Sequence, residues 1–244
     1  MVSKSQIKLI TSLRQKKYRV KYQLFFVEGT KVIQEFYRAG WKLHSLFATS
    51  MITGIPESKT TEVLEAELKK ISALKSPNSA LAVFEISALK KYHNAGIQVV
   101  LDGVRDPGNL GTIIRLCDWF GVQQIICSND TVDCFNPKVL QASMGSLARV
   151  TVFYKDLISF FKSENNLPVY AAFMDGHSVY KEQLPKDAIL LMGNEGKGIS
   201  EELELFLTIK ISIPQFGDSM ETESLNVAMA TSILLSEFHR SIER

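Results

Sequence analysis

The sequence predicts an α/β protein of two domains, the second built on a mainly parallel sheet. After Gly96, apolar runs bounded by turn residues alternate with segments of helical periodicity, as expected for strands covered on both faces by helices. Before it, a shorter series of strand-like and helix-like runs fills about ninety residues, within the usual range for a small domain. Between them, the polar stretch 87–96 loses periodicity. The expected division is therefore a first domain over 1–90, a linker over 91–96 and a second domain over 97–244.

The chain has 244 residues, 45% of them apolar and 22% charged, an ordinary balance that excludes wholesale disorder. A formal net charge of +2 is too small to identify a polyanionic partner, so any such partner must be met by local clustering. Cys117, Cys127 and Cys134 form no CxxC pair and the histidines are scattered, so neither a zinc site nor a disulfide framework is expected. The amino terminus opens no apolar signal region, and no apolar run approaches membrane-spanning length. The expectation is a cytoplasmic protein with no membrane partner and no metal.

Residues 3–15 have the periodicity of a helix, with Ile7, Ile10 and Leu13 on one face. Arg14, Lys16, Lys17, Arg19 and Lys21 follow, interleaved with Tyr18 and Tyr22. This is either a solvated helix end and loop, or a patch that grips phosphates and gains affinity by releasing counterions from nucleic acid. Strands are expected over 24–27, 43–48 and 80–86, and helices over 30–38 and 63–74. In the second domain, strands are expected over 97–101, 124–127, 149–153, 169–173, 188–192 and 208–213. Helices are expected over 110–120, 137–147, 155–162 and 200–206, with a long closing helix over 225–242. No internal repeat recurs at a fixed period.

Three loops at strand ends carry the chemistry, where open α/β sheets bind their ligands. The first, Asp106-Pro107-Gly108-Asn109-Leu110-Gly111, is a tight turn in which Asn109 or Gly108 can cap the following helix. That helix carries Arg115, which could equally form a surface ion pair with Asp118. The second loop is Met192-Gly193-Asn194-Glu195-Gly196-Lys197-Gly198-Ile199-Ser200. The third is Ile213-Pro214-Gln215-Phe216-Gly217, running on to Ser224-Leu225-Asn226-Val227-Ala228-Met229-Ala230. None fits the GxGxxG or GxxxxGK[ST] pattern, so a dinucleotide or P-loop site is not indicated.

In order and spacing, DPGNLGTIIR, MGNEGKGIS and IP–G–SLNVAMA resemble the three motifs of the SpoU (TrmH) family of the SPOUT superfamily. Its members are S-adenosylmethionine-dependent RNA ribose 2′-O-methyltransferases. The resemblance covers residue 97 onward, and the first ninety residues more loosely resemble the L30e-like substrate-binding domain carried by many members. It implies a deep trefoil knot formed by the last part of the chain, a symmetric homodimer and an RNA partner. Ribosomal RNA is preferred and transfer RNA is the alternative; a non-catalytic RNA-binding or ribosome-assembly protein on the same fold is the alternative from another class. S-adenosylmethionine would be held by Met192, Gly193, Ile213, Pro214 and Leu225.

By the same resemblance the catalytic set is Asn109, Arg115, Glu195, Ser224 and Asn226. Arg115 would activate the 2′-hydroxyl, although a guanidinium is protonated at neutral pH, so whether it takes the proton or only orients the hydroxyl stays open. Asn109 would hold Arg115 or the ribose, Glu195 would order its loop, and Ser224 and Asn226 would shape the site around the methyl group. Apart from the resemblance, on the phosphate-gripping reading of the basic segment Arg14, Lys16, Lys17 and Arg19 would contact RNA. Two departures from the family pattern are a longer segment over 218–223, which bears on the donor contacts, and Gln141, where many relatives have arginine.

Overall fold

The computed structural model of the chain describes residues 1–86, 91–163, 166–217 and 224–242. In order it forms α1 (Lys4–Ser12), α2 (Lys16–Tyr22), β1 (Leu24–Glu28), α3 (Thr30–Arg38), β2 (Leu43–Ala48), β3 (Thr60–Glu62), α4 (Glu65–Ile71) and β4 (Ala80–Glu85). There follow β5 (Ile97–Leu101), α5 (Pro107–Trp119), β6 (Gln124–Cys127), α6 (Pro137–Ala142), β7 (Thr151–Tyr154) and α7 (Leu157–Ser163). The last elements are β8 (Val169–Ser178), β9 (Ala188–Met192), β10 (Ile209–Ser212) and α8 (Val227–Ile242). No helix among the described residues is long and apolar enough to cross a membrane.

Two compact units result, Met1–Leu89 with Asp133–Arg149, and Lys90–Val132 with Val150–Arg244. The first holds a four-stranded sheet in the order β1-β4-β2-β3, antiparallel except for the β2–β3 pair. Phe25, Phe26, Phe36, Phe47 and Phe84 are fully buried at its centre. The helix expected over 3–15 stops short. Ser3 and Gln6 make a reciprocal capping box at the start of α1, which ends at Ser12, and the basic segment forms a separate helix, α2. Gln23, in the left-handed region at φ 52°, stops α2 and turns the chain into β1.

Residues 133–149 lie within the stretch expected to form the second domain, yet they pack with the first unit. Phe135 sets its ring 4.7 Å from that of Phe25, and the Trp41 indole donates to the Ala148 carbonyl at 3.1 Å. Arg149 pairs with Glu35, and Asp133 pairs with Arg19. The helix expected over 137–147 ends at Ala142, because Met144 and Gly145 adopt positive φ (52° and 95°) before a 3₁₀ turn over Ser146–Ala148.

The second unit is a six-stranded, wholly parallel sheet in the order β10-β8-β9-β5-β6-β7. All five residues of β9 are buried, as a central strand covered on both faces requires. Strand β8 runs on to Ser178, well past the expected 169–173, and the helix expected over 200–206 is a run of 3₁₀ turns, Glu201–Phe206. The carboxyl ends of β5 and β9 are side by side, with the Asp102 amide donating to the Met192 carbonyl at 2.9 Å.

Candidate active site

The loop after β5 enters α5 through Asp106, whose carboxylate accepts the Asn109 amide at 2.9 Å, with Pro107 in the first helical position. The expected cap, Asn109 or Gly108, is therefore corrected. Because Asp106 caps the helix, the Asn109 side chain is released for other work. Its Nδ2 donates to Glu195 Oε1 at 2.7 Å, and its Oδ1 accepts from Asn226 Nδ2 at 2.9 Å. One carboxamide thus ties together all three motif loops.

Two further links brace the loops. The buried Asp102 carboxylate accepts the Ser200 amide at 2.8 Å and the Ser200 hydroxyl at 2.7 Å. Asn194 Nδ2 donates to the Gly103 carbonyl at 2.6 Å, while its Oδ1 accepts the amides of Gly196 and Lys197 at 2.9 and 3.0 Å. Sequence reasoning missed Asp102, and missed Asn194 as a site residue although it lies within a motif. Strand-end position was the available clue for both. Their partners are 98 and 91 residues away, so no local pattern shows the bonds.

Backbone crowding explains one glycine. An ideal Cβ on Gly193 would lie 2.6 Å from the Ile199 nitrogen, so the loop returns across Gly193 at a distance only glycine allows.

Beside these loops is a cleft of about 670 Å³. Its lining includes all five residues expected to hold the donor (Met192, Gly193, Ile213, Pro214 and Leu225), together with Glu195 and Ser224. Ala172, Phe173 and Met174 of β8 and Ala230 and Leu234 of α8 also line it, and sequence reasoning did not single these out. The size and the mixture of apolar side chains with a few polar groups suit a small organic ligand. The segment 218–223, expected to modify the donor contacts, lies outside the described residues.

Arg115 and Asn109 part company. Six residues apart, they lie about 120° apart around α5 and about 9 Å along it. The Asn109 carboxamide is engaged by Glu195 and Asn226, so the expected hold of Asn109 on Arg115 is not seen. Arg115 is exposed and has no hydrogen-bond or ion-pair partner among the described residues. The surface ion pair with Asp118 weighed from the sequence is likewise not formed.

The cations expected to contact RNA divide. Arg19 is 3% exposed, and its guanidinium is used inside the first unit: Nε donates to Asp133 Oδ2 at 2.9 Å and Nη1 to the carbonyls of Leu13 and Arg14 at 2.8 and 3.0 Å. Its expected role in gripping RNA is corrected, because this side chain braces α2 against the end of α1. Arg14 is exposed but holds the Ser72 carbonyl at 2.6 Å, whereas Lys16 and Lys17 face solvent. Gln141 lies on α6, in the first unit and not among the cleft residues.

Comparison with known proteins adds identity to this geometry. Residues 96–236 match the SpoU rRNA Methylase family, and residues 4–82 match the MRM3-like substrate binding domain. The 23S rRNA (guanosine(2553)-2'-O)-methyltransferase RlmP of Bacillus subtilis is 29% identical over 232 residues, 91% of either chain. A TrmH-family chain from Porphyromonas gingivalis superposes with a TM-score of 0.88 at 40% identity, over 98% of this chain and 99% of that one. An AdoMet-bound rRNA methyltransferase from Sinorhizobium meliloti superposes with a TM-score of 0.86 at 31% identity, over 98% and 97% of the two chains. With a family match over more than half its length and whole-chain similarity at 40% identity, the chain belongs to the SpoU rRNA methylase family.

Proposed function

We propose that this protein transfers a methyl group from S-adenosylmethionine to a ribose 2′-hydroxyl of ribosomal RNA. The observation that carries the reading is the cleft formed by Met192–Glu195, Ile213–Gly217 and Ser224–Leu225, with Asn109 bonded to Glu195 and Asn226 beside it. The named functions of the relatives and the donor bound in the Sinorhizobium meliloti structure support it.

The cleft fits the donor in size, and Met192, Gly193, Ile213, Pro214 and Leu225 would hold it largely through backbone groups and apolar contacts. The bound donor supplies an electrophilic methyl group on a sulfonium. The protein's own task is to place the 2′-hydroxyl in line with that methyl group and to ease loss of its proton. Holding reactants in attack geometry and positioning a group for proton transfer both lower the barrier substantially. Glu195 and Asn226, fixed through Asn109, shape the rim, and Arg115 orients or activates the hydroxyl.

The separation of Arg115 from Asn109 on α5 favours a symmetric homodimer in which Arg115 of one copy completes the cleft of the other. Trp119 and Met229, 84% and 63% exposed, add large apolar surface on α5 and α8, helices that pack together. An isologous interface is the common form for such a pair. The same reading includes the family's trefoil knot and a cytoplasmic location where ribosomal RNA is made and folded.

The test is methyl transfer from labelled S-adenosylmethionine to ribosomal and transfer RNA from cells lacking the protein, followed by mapping of 2′-O-methyl sites. Label at one ribose of ribosomal RNA, lost in Arg115→Ala with donor affinity retained, is the expected result. Label confined to transfer RNA would redirect the substrate. No label in either RNA, with cellular function intact in Arg115→Ala, would favour a non-catalytic RNA-binding protein.

A further inference from the structure

The helix α2 has a surface that the site above does not use. Its inner side is fixed by Arg19, held by Asp133 and by the carbonyls of Leu13 and Arg14. Successive helical residues are turned by about 100°, so Lys17 and Lys21 project away from Arg19 while Tyr18 and Tyr22 share the stripe between. The two tyrosine rings are nearly parallel, at 11° with centroids 6.2 Å apart. Lys17 Nζ stands 5.0 Å from the Tyr18 ring centroid and Lys21 Nζ 5.4 Å from that of Tyr22. On that stripe Tyr22 is 42% exposed.

Aromatic rings carried on a cationic helix suit one partner chemistry. Bases stack on exposed aromatic faces, and lysines beside them neutralise the phosphates that link those bases. A base within a duplex already has both faces covered, so this surface suits unpaired nucleotides. We propose that the Tyr18–Tyr22 face of α2 is a stacking platform for an unpaired segment of the RNA substrate, with Tyr22 taking a base and Lys17 and Lys21 meeting phosphates. This rests on the reading of the protein as an RNA methyltransferase and adds to it the residues that select single-stranded RNA. A tyrosine needed only to hold α2 in place is a poor account of the geometry, since Arg19 already does that from the buried side.

The experiment measures binding of a labelled single-stranded oligoribonucleotide and of a blunt duplex of the same length, by anisotropy over a range of salt concentrations. Tyr22→Leu should weaken single-strand binding roughly 5- to 150-fold, the range one stacked base contributes, with duplex binding, salt slope and melting temperature unchanged. Tyr22→Phe, which keeps the ring, should bind as wild type. The pair Lys17→Gln and Lys21→Gln should flatten the salt dependence for single strands by roughly 0.7 per lysine. Unaltered single-strand binding by Tyr22→Leu, or an equal loss on single strand and duplex, would overturn the platform. Wild-type methyl transfer to ribosomal RNA, measured alongside, keeps the two readings apart. If transfer occurs and Tyr22→Leu binds normally, the platform falls and the enzyme stands. If no RNA is methylated, the enzyme reading falls and the binding data still decide the platform.

Discussion

Asn226 donates its side-chain amide to Asn109 across 117 residues of sequence, at 2.9 Å. The bond joins the entrance of α8 to the first turn of α5, and the same Asn109 holds Glu195 from its other end. Asn109→Ala breaks both bonds. A reacting geometry displaced by about 1 Å can cost about 10²-fold in rate. Methyl transfer at saturating donor should fall by about that factor, with a much smaller change in donor affinity by calorimetry. An unchanged rate would remove Asn109 from the site.

The close return of the chain over Gly193 predicts opposite behaviour for two glycines of one loop. Gly193→Ala places a Cβ 2.6 Å from the Ile199 nitrogen and should cost about 1–3 kcal/mol, with donor binding lost. Gly196→Ala meets nothing nearer than Asn194 Oδ1 at 3.7 Å and should bind the donor as wild type. Equal donor affinity in the two variants would contradict the geometry.

Arg19 predicts a stability defect distinct from any RNA defect. Arg19→Met leaves Asp133, whose side chain is 15% exposed, without its cation, and breaking such a buried pair costs about 3–5 kcal/mol. Denaturant unfolding should show that loss, whereas Lys17→Ala should leave stability within about 0.5 kcal/mol. Were Arg19→Met as stable as wild type and defective only in RNA binding, the pairing seen here would not govern α2.

The three thiols should be silent. Cys117, Cys127 and Cys134 are all buried, and burial pushes the Cys117 thiol well above its ordinary range, with Asp118 adding to the effect. Raising a thiol pKa depletes the reactive thiolate at neutral pH. A thiol-specific reagent at about pH 8, near the ordinary thiol pKa, should therefore label none of them until denaturant is added. Labelling of the native protein, located by mass spectrometry, would show that the covering elements open.

Much of this molecule was legible in its sequence, for reasons that differ by level. The parallel sheet was legible because strands covered on both faces must be apolar along their whole length, as in Ala188–Met192. The cleft was legible because the five residues expected to hold the donor follow strand ends in motifs of fixed spacing, and all five line it. The cap was misplaced because Asp106, Gly108 and Asn109 are all acceptable cap residues, and only the backbone path decides which carboxylate or amide meets the free N–H. The basic segment read as one patch because charge carries no direction, and the helical rotation that buries Arg19 and exposes Lys17 is set by Asp133, 114 residues away.

By itself, then, the sequence determined the α/β class, most of the run of strands and helices, the family and the loops that form the cleft. These depend on local periodicity and contiguous motifs. The tertiary structure alone decided that residues 133–149 pack with the first unit, and that Asn109 bridges Glu195 and Asn226. Each is settled by contacts between residues far apart in the chain, where chain connectivity sets no partner and packing must choose one.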